Sequence, residues 1–160
     1  MKNTKHLDLG CGGCPRNPYG QSELFGIDMG DFITSSNIRS ANLAIEKIQF
    51  DDDYFDSVSA FDFLEHIPRQ AIDFDKKLTR FPFIELMQEI WRVTKPGGRF
   101  YAVTPVYPAP EAFQWHEFRL PLGRAHLRKV GTVDRFLGKP RNRRLLLSYR
   151  RNSYNLANRA

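Results

Sequence analysis

The chain has 160 residues, of which 41% are hydrophobic and 13% aromatic, enough for one packed core. It contains no apolar run long enough to span a bilayer and no hydrophobic leader before the first predicted strand, so we expect a cytoplasmic protein without a transmembrane helix. The formal net charge is +6, but positions 1–110 hold 12 Lys/Arg and 15 Asp/Glu, whereas positions 111–160 hold 12 and 3.

The charge division predicts two regions. We expect a folded core over 1–110 and a basic segment over 111–160 that is divergent or partly disordered, since the run 139–144 has little apolar surface to bury. A basic segment of this kind is typical of proteins that meet phosphate-rich partners, so nucleic acid is a candidate partner. The oligomeric state is not indicated by the sequence.

In the first part of the chain, the pattern predicts strands joined by turns. Strands are expected at 5–9, 24–27 and 55–61, with a less regular one at 37–43. Between the first two strands no apolar residues repeat at helical spacing, and Pro15, Pro18 and Gly20 interrupt the segment. The acidic run 51–53 is interpreted as a solvated turn, because consecutive carboxylates do not converge on a metal ion.

The next part of the chain predicts a helix followed by further strands. The polar stretch 68–80 is interpreted as a lid or a short helix. From Phe83 to Thr94 the apolar residues follow the spacing i, i+3, i+4, i+7, i+8, which indicates an amphipathic helix ended by Pro96-Gly97-Gly98. Further strands are expected at 100–104, 130–137 and 145–149. Strands alternating with helices predict an α/β fold whose parallel sheet is covered on both faces.

The most informative motif is a glycine turn after the first strand. Leu7-Asp8-Leu9-Gly10-Cys11-Gly12-Gly13 is followed by Asp28 at the end of the second strand. Glycines allow the backbone to approach a ligand closely, and a carboxylate at the neighbouring strand end can accept two hydrogen bonds from a ribose diol. Pro15 stands where a dinucleotide fingerprint needs its third glycine, and no helix follows to hold a pyrophosphate. The pattern therefore favours an adenosine ligand without phosphates.

Both cysteines of the chain, Cys11 and Cys14, lie in this glycine turn. The spacing Cys-x-x-Cys occurs in redox pairs and in half of a zinc site, but a zinc site needs two further ligands, and no second pair of cysteines is present. We interpret these cysteines as small residues in a tight turn and predict no metal.

Four segments in order resemble class I, Rossmann-like S-adenosylmethionine-dependent methyltransferases. They are Asp8-Leu9-Gly10-Cys11-Gly12, Phe25-Gly26-Ile27-Asp28, Phe55–Phe61 with Leu64-Glu65-His66-Ile67, and Glu89 to Gly98. The resemblance covers about positions 5–110. It implies a Rossmann-like three-layer sandwich with a mostly parallel central sheet, in which an antiparallel strand pair normally closes the sheet; whether the C-terminal strands are complete here stays open.

The resemblance also implies S-adenosylmethionine as cofactor and a set of residues that bind it. The implied cofactor-binding residues are Asp8, Gly10, Cys11, Gly12, Asp28, Asn42, Leu43, Phe61 and Asp62. Two positions depart from the family pattern: Cys14 replaces the third glycine of the motif, and Asn42 stands where many relatives carry an acid facing adenine. The carbonyl oxygen of an asparagine side chain can still accept a hydrogen bond from the adenine amino group.

Methyl transfer from a sulfonium needs a base only when the acceptor loses a proton as it reacts. Candidates near the methyl group are Asp62, Glu65, His66 and Tyr107, of which we select His66 as the catalytic candidate because imidazole titrates near neutrality. The alternative is a structural role for His66 at a helix start, and Glu65 is expected to cap a helix or contact the cofactor. The stretch 104–108 is expected to form one wall of the acceptor pocket.

Three functional hypotheses follow. The first is a methyltransferase acting on a hydroxyl of a small molecule such as a sugar or another metabolite. The second is an RNA methyltransferase recruited by the basic segment 111–160. The third is a catalytically inactive binding module whose altered turn, with Cys14 and Asn42, no longer holds the cofactor.

Overall fold

A seven-stranded sheet forms the centre of the computed structural model, which describes residues 3–30, 35–105, 133–137 and 144–151. The strands of the sheet are β1 Lys5–Leu9, β2 Glu23–Asp28, β3 Ile38–Ser40, β4 Phe55–Phe61, β7 Thr94–Pro105, β8 Val133–Leu137 and β9 Arg144–Arg150. Their order is β3-β2-β1-β4-β7-β9-β8. The first five are parallel to one another, whereas β9 runs antiparallel to β7 and β8 antiparallel to β9.

The strand predictions are largely confirmed. The third strand is shorter than expected, because the chain turns immediately after Ser40: the side-chain oxygen of Asn42 accepts from the backbone of Ala44, and its backbone oxygen from Ile45. β8 and β9 are the expected closing antiparallel pair, so the sheet has all seven strands. Both strands belong to the predicted basic segment 111–160, most of which lies outside the described residues.

The stretch 68–80 contains a β-hairpin, so the expected short helix is wrong. β5 Ala71–Asp73 pairs antiparallel with β6 Leu78–Arg80. The carboxylate of Asp73 accepts a hydrogen bond from the backbone N–H of Lys76, and Lys77 takes a left-handed conformation with φ of 52°. A side chain that bonds its own backbone favours a turn over a helix.

Helix α1, Pro82–Val93, covers one face of the sheet. It begins with proline at its first position, where no backbone N–H is needed. Its buried residues Leu86 and Ile90 pack in the core with Leu7, Val58 and Phe100 of the sheet. The part of the chain described here contains no helix with the length and apolar character needed to cross a membrane.

The helix ends at Val93, earlier than the Pro96-Gly97-Gly98 stop predicted from the sequence. The backbone is extended from Thr94, whose hydroxyl donates to the carbonyl of Ile90 at 2.5 Å. The proline and the glycines lie within β7, where the pairing with β4 shifts register and Gly97 has a φ of 80°. A glycine is favoured both at a bulge in a strand and just after the end of a helix, because both positions can need a positive φ. The sequence alone therefore does not distinguish the two.

The opposite face of the sheet is covered by the irregular segment that joins β1 to β2. Tyr19 lies against His6 and Tyr101, with ring centroids 6.2 and 6.4 Å apart. The guanidinium of Arg16 lies 4.6 Å from the ring centroid of Phe61. No helix occurs between β1 and β2, as the prolines predicted, and the predicted α/β class with a mostly parallel central sheet is confirmed.

Candidate functional site

A cavity of about 330 Å³ opens at the carboxyl ends of the parallel strands. The chain leaves β1 toward β2 and β3 on one side and reaches β4 and β7 on the other, and ligands of open α/β sheets bind at such a switch point. The volume is in the range of small-molecule sites. The lining residues lie at or just after the ends of β1, β2, β3 and β4 and are Gly10, Ile27, Asp28, Met29, Ala41, Asn42, Leu43, Ala44, Asp62, Phe63, His66 and Ile67.

The glycine turn forms one side of the cavity. Gly10 has a φ of 65° and Gly12 a φ of 57°, which favour glycine over any other residue. The backbone N–H of Gly10 donates to the carbonyl of Ile27 at 2.9 Å, which anchors the turn to β2. A Cβ at Gly10 would lie 2.7 Å from Cγ of Phe63, whereas a Cβ at Gly12 would meet no atom within 4 Å. Gly10 is therefore required by both conformation and space, and Gly12 by conformation alone.

Asp28 joins the two turns that frame the cavity. Its Oδ2 accepts from the backbone N–H of Gly12 at 2.8 Å, and its Oδ1 accepts from the backbone N–H groups of Met29 and Gly30 at 2.7 and 3.3 Å. A carboxylate offers about four acceptor positions, so Oδ2 can accept a further hydrogen bond from a ligand hydroxyl. Asp28 can thus hold the turn and a diol at the same time.

Asn42 and Leu43 form the next part of the wall, after β3. The side-chain oxygen of Asn42 accepts from the backbone N–H of Ala44 at 3.1 Å, and its backbone N–H donates to the carboxylate of Glu46 at 3.0 Å. The asparagine oxygen keeps a second lone pair for a ligand. Leu43 is buried and gives this wall an apolar surface.

The chain after β4 supplies the opposite wall. Asp62 has a φ of 50°, a strained conformation for a residue other than glycine, and its N–H donates to the carbonyl of Val103 at 2.7 Å. Such strain often occurs at functional sites. This turn brings Phe63 against Gly10 and begins the 3-10 helix Leu64–His66. His66 is exposed and lines the cavity.

The side chain of Glu65 forms a hydrogen bond with strand β7 of the sheet. Its carboxylate accepts from the hydroxyl of Thr104 at 3.1 Å, and burial raises its pKa. Neither residue lines the cavity, and Thr104 is completely buried. The expectation that 104–108 forms an acceptor wall is tested only up to residue 105, since 106–108, including Tyr107, lies outside the described residues.

Asp8 and Phe61, both predicted as cofactor-binding residues, are not in the cavity wall. The carboxylate of Asp8 is buried behind the turn and accepts from the backbone N–H of Arg16 at 2.7 Å and from the hydroxyl of Ser59 at 2.5 Å. Burial raises the pKa of Asp8. The ring of Phe61 lies on the face covered by Arg16 and Tyr101.

Cys11 is a packing residue of the turn. Its thiol donates to the carbonyl of Gly12 at 3.1 Å, and a Cβ on Gly26 would lie 2.5 Å from the sulfur. Burial, helped by the carboxylates of Asp8 and Asp28, raises the pKa of Cys11 to about 12, so the thiolate needed for metal binding or redox exchange is disfavoured. Cys14 is an exposed free thiol, and no group of three possible metal ligands occurs within the described residues.

Of the predicted site residues, six come together around the cavity: Gly10, Asp28, Asn42, Leu43, Asp62 and His66. Cys11 and Gly12 lie in the turn behind it and Asp8 beneath the turn. Sequence reasoning missed the apolar lining residues Ile27, Met29, Ala41, Ala44, Phe63 and Ile67. Each lies within a few residues of a predicted site residue in the chain, so its position beside the motifs could have indicated that it lines the cavity.

The sheet order, the glycine turn and the cavity at the switch point define a Rossmann-like fold of the class that binds a nucleoside cofactor. Residues 7–102 match the family model described as a methyltransferase domain, which is more than half of the chain. The chain belongs to this methyltransferase domain family. The family resemblance stated from the four motifs is therefore confirmed.

Solved structures agree with the fold. An S-adenosylmethionine-dependent methyltransferase from Mesorhizobium loti is 17% identical, with a TM-score of 0.63 and coverage of 93% of this chain and 91% of that one. A protein from Listeria monocytogenes, described as a proposed S-adenosylmethionine-dependent methyltransferase, is 15% identical, with a TM-score of 0.62 and coverage of 94% and 92%.

Other solved structures are much longer than the region they share with this chain. In the complex between the Haloferax volcanii Trm112 methyltransferase activator and a proposed methyltransferase, the match has 20% identity and a TM-score of 0.44 and covers 64% of this chain and 46% of that one. For the YcgJ protein from Bacillus subtilis the identity is 21%, the TM-score 0.46, and the coverage 64% and 44%. A search of curated proteins finds no match.

Proposed function

We propose that the chain transfers a methyl group from S-adenosylmethionine to a hydroxyl of a small molecule, such as a sugar or another metabolite. The observation that carries the proposal is the cavity at the switch point, where Asp28 offers a free acceptor position beside the glycine turn. The absence of a phosphate-binding helix after the turn favours this cofactor over a dinucleotide. A cytoplasmic location fits the two free cysteines, which a reducing compartment preserves.

The residues of the cavity fit S-adenosylmethionine. Asp28 would accept from the ribose diol, the side-chain oxygen of Asn42 from the adenine amino group, and Leu43 and Met29 would contact the adenine ring. Gly10 is in the turn that would approach the methionine part. When bound, the cofactor supplies a methyl group on a sulfonium, and the protein mainly has to hold the acceptor in line with it.

His66 is the group that would remove the proton of an acceptor hydroxyl. It is exposed and lines the cavity, on the wall that faces the glycine turn. An imidazole accepts a proton near neutral pH, and a hydroxyl must lose its proton as it is methylated. His66→Ala is expected to lower turnover and leave cofactor affinity unchanged; loss of folding instead would indicate that the role of His66 is structural.

The test is calorimetric titration of the full chain with S-adenosylhomocysteine, with circular dichroism on the same sample. We expect binding in the micromolar range, on the order of −8 kcal/mol. Binding would be followed by an acceptor screen that measures release of S-adenosylhomocysteine with sugars and other hydroxyl compounds. A folded protein without binding would contradict the proposal and favour an inactive binding module.

A second candidate function is methylation of RNA, favoured by the 12 basic and 3 acidic residues of 111–160. Binding through phosphate contacts weakens steeply with salt, by a factor of about 10³–10⁵ between 50 and 200 mM for a protein with many such contacts. Measuring the affinity for a single-stranded RNA at these two salt concentrations decides the point. Weak binding that does not change with salt would eliminate this candidate.

A further inference from the structure

A chain of hydrogen bonds runs across the sheet beneath the glycine turn. His6 on β1 is completely buried, and its two ring nitrogens contact two serines of β4: Nδ1 lies 2.7 Å from the hydroxyl of Ser57 and Nε2 lies 2.9 Å from the hydroxyl of Ser59. Ser59 in turn contacts the carboxylate of Asp8 at 2.5 Å. Asp8 accepts from the backbone N–H of Arg16, at the far end of the turn that begins at Gly10.

The direction of each hydrogen bond follows from the chemistry of its partners. The carboxylate of Asp8 only accepts, so the single hydroxyl hydrogen of Ser59 is donated to it. The oxygen of Ser59 must then accept from His6, which places the imidazole hydrogen on Nε2. Nδ1 is left as an acceptor and receives the hydroxyl hydrogen of Ser57.

We propose that His6 is a positioning residue of the cofactor site: through Ser59 it orients the carboxylate of Asp8 and thereby holds the turn from Gly10 to Arg16 in its binding conformation. The inference rests on the proposed cofactor site, of which this turn is one wall. His6 does not line the cavity and contacts no ligand position itself.

Burying a histidine costs free energy, because its polar ring nitrogens lose their hydration, and hydrogen bonds must replace it. Here both ring nitrogens and both serine hydroxyls are paired, and all three side chains are completely buried. An apolar side chain at position 6 would leave the hydroxyl of Ser59 without the donor that fixes its orientation. The hydroxyl of Ser59 could then rotate, and it would orient the carboxylate of Asp8 less well. Because Asp8 holds the backbone N–H of Arg16, the turn would become less ordered.

The two serines provide a matched pair of variants. Ser57→Ala and Ser59→Ala each remove one buried hydroxyl from β4 that bonds to the same imidazole, but Ser59→Ala also removes the bond to Asp8 and should lower the free energy of unfolding more. Only Ser59 lies between His6 and Asp8. We expect the Kd for S-adenosylhomocysteine to rise about tenfold in Ser59→Ala and in His6→Leu, and to stay within about twofold in Ser57→Ala.

Rescue and coupling give a second readout. His6→Gln carries an amide nitrogen that can replace Nε2 as the donor to Ser59, so its Kd is expected to be closer to that of the wild type than the Kd of His6→Leu. In the background of Ser59→Ala, the further change His6→Leu should raise the Kd less than it does in the wild type, because only the contact of His6 with the backbone of Arg16 is then left to lose. A Kd that rises equally in Ser57→Ala and Ser59→Ala, in step with lost stability, would overturn the proposal.

The proposal can also be tested without the cofactor. Hydrogen exchange of the Arg16 amide in the free protein should be faster in His6→Leu than in Ser57→Ala, because only the former removes the donor to Ser59 that helps to orient Asp8, the acceptor of that amide. Equal exchange rates in the two variants would overturn the positioning role. If the wild type fails to bind S-adenosylhomocysteine but the exchange rates differ as expected, the proposed function fails while the role of His6 in holding the turn remains.

Discussion

At the scale of single residues, Asp28 has a double role that its sequence position could not reveal. The carboxylate accepts hydrogen bonds from three backbone N–H groups of two different turns and is also one of the acidic groups on the cavity wall. Any substitution there therefore changes both the ligand contact and the turn. An asparagine there keeps one acceptor oxygen, so it can accept from one of the two turns but not from both, and it loses the charge.

We expect Asp28→Ala to weaken binding of S-adenosylhomocysteine by about 1–3 kcal/mol, the usual size for losing charge-assisted hydrogen bonds. Asp28→Asn should lie between the wild type and the alanine variant. Calorimetric titration measures the affinities, and urea unfolding measures the stability of each variant. Unchanged affinity in a folded Asp28→Ala protein would show that this carboxylate does not bind the ribose.

His6 makes a residue-scale prediction about pH. Burial lowers its pKa to about 4, whereas the pKa of histidine in an unfolded chain is about 6.5. As the pH falls from about 6.5 to about 4, the unfolded chain takes up a proton that folded His6 does not, so stability is lost in this window, by up to about 3 kcal/mol. Asp8 acts in the opposite direction, because burial raises its pKa and its stabilising contribution is lost as pH rises.

Comparison with His6→Gln separates the contribution of His6 to the pH dependence of stability from that of Asp8, which both proteins contain. The free energy of unfolding of the wild type should fall more steeply than that of His6→Gln between about pH 6.5 and pH 4 when both are measured by urea denaturation. Parallel pH profiles for the two proteins would contradict the assignment of a buried neutral imidazole.

At the scale of elements, the turn between β1 and β2 depends on its two glycines in different ways. Both have a positive φ, but only at Gly10 would a Cβ collide with Phe63. Gly12→Ala should cost about 1–2 kcal/mol of stability from its left-handed conformation. Gly10→Ala should cost more because it adds the collision, and Gly10→Val should also abolish binding of S-adenosylhomocysteine.

Gly12→Ala is thus the matched control for Gly10→Ala, and urea unfolding of the two variants measures the difference. Equal losses of stability would mean that Phe63 moves aside freely. Binding retained by Gly10→Val would contradict the assignment of this turn to the cofactor site.

At the scale of the whole molecule, strand β9 is part of the same core as the first strands. Tyr149 of β9 is buried, stacks on Trp91 of α1 with ring centroids 5.9 Å apart, and contacts Phe100 of β7 at 5.5 Å. Arg151 donates to the backbone carbonyl of Trp91 at 3.0 Å. Removing 111–160 to test RNA binding would therefore remove part of the core, and substitutions of surface charges are the better test.

We expect Tyr149→Ala to lower the free energy of unfolding by about 3–5 kcal/mol, as for other large aromatic side chains removed from a core. Tyr149→Phe keeps the ring and its packing and should lose far less. Urea denaturation compares both with the wild type. A small loss in Tyr149→Ala would mean that β9 contributes little to the stability of the sheet.

The sequence by itself determined the family, the positions of β1, β2 and β4, the core-facing side of α1 and six residues of the cavity wall. These features depend on local signals: apolar spacing, glycines that need a positive φ, and motif residues at strand ends. The tertiary structure alone decided that 68–80 forms a hairpin, that Pro96-Gly97-Gly98 lies inside a strand, and that β8 and β9 close the sheet. It also decided that Asp8 meets Ser59, because residues 51 positions apart meet only when β1 pairs with β4. Contacts of that kind depend on which strands become neighbours, and local sequence does not encode that choice.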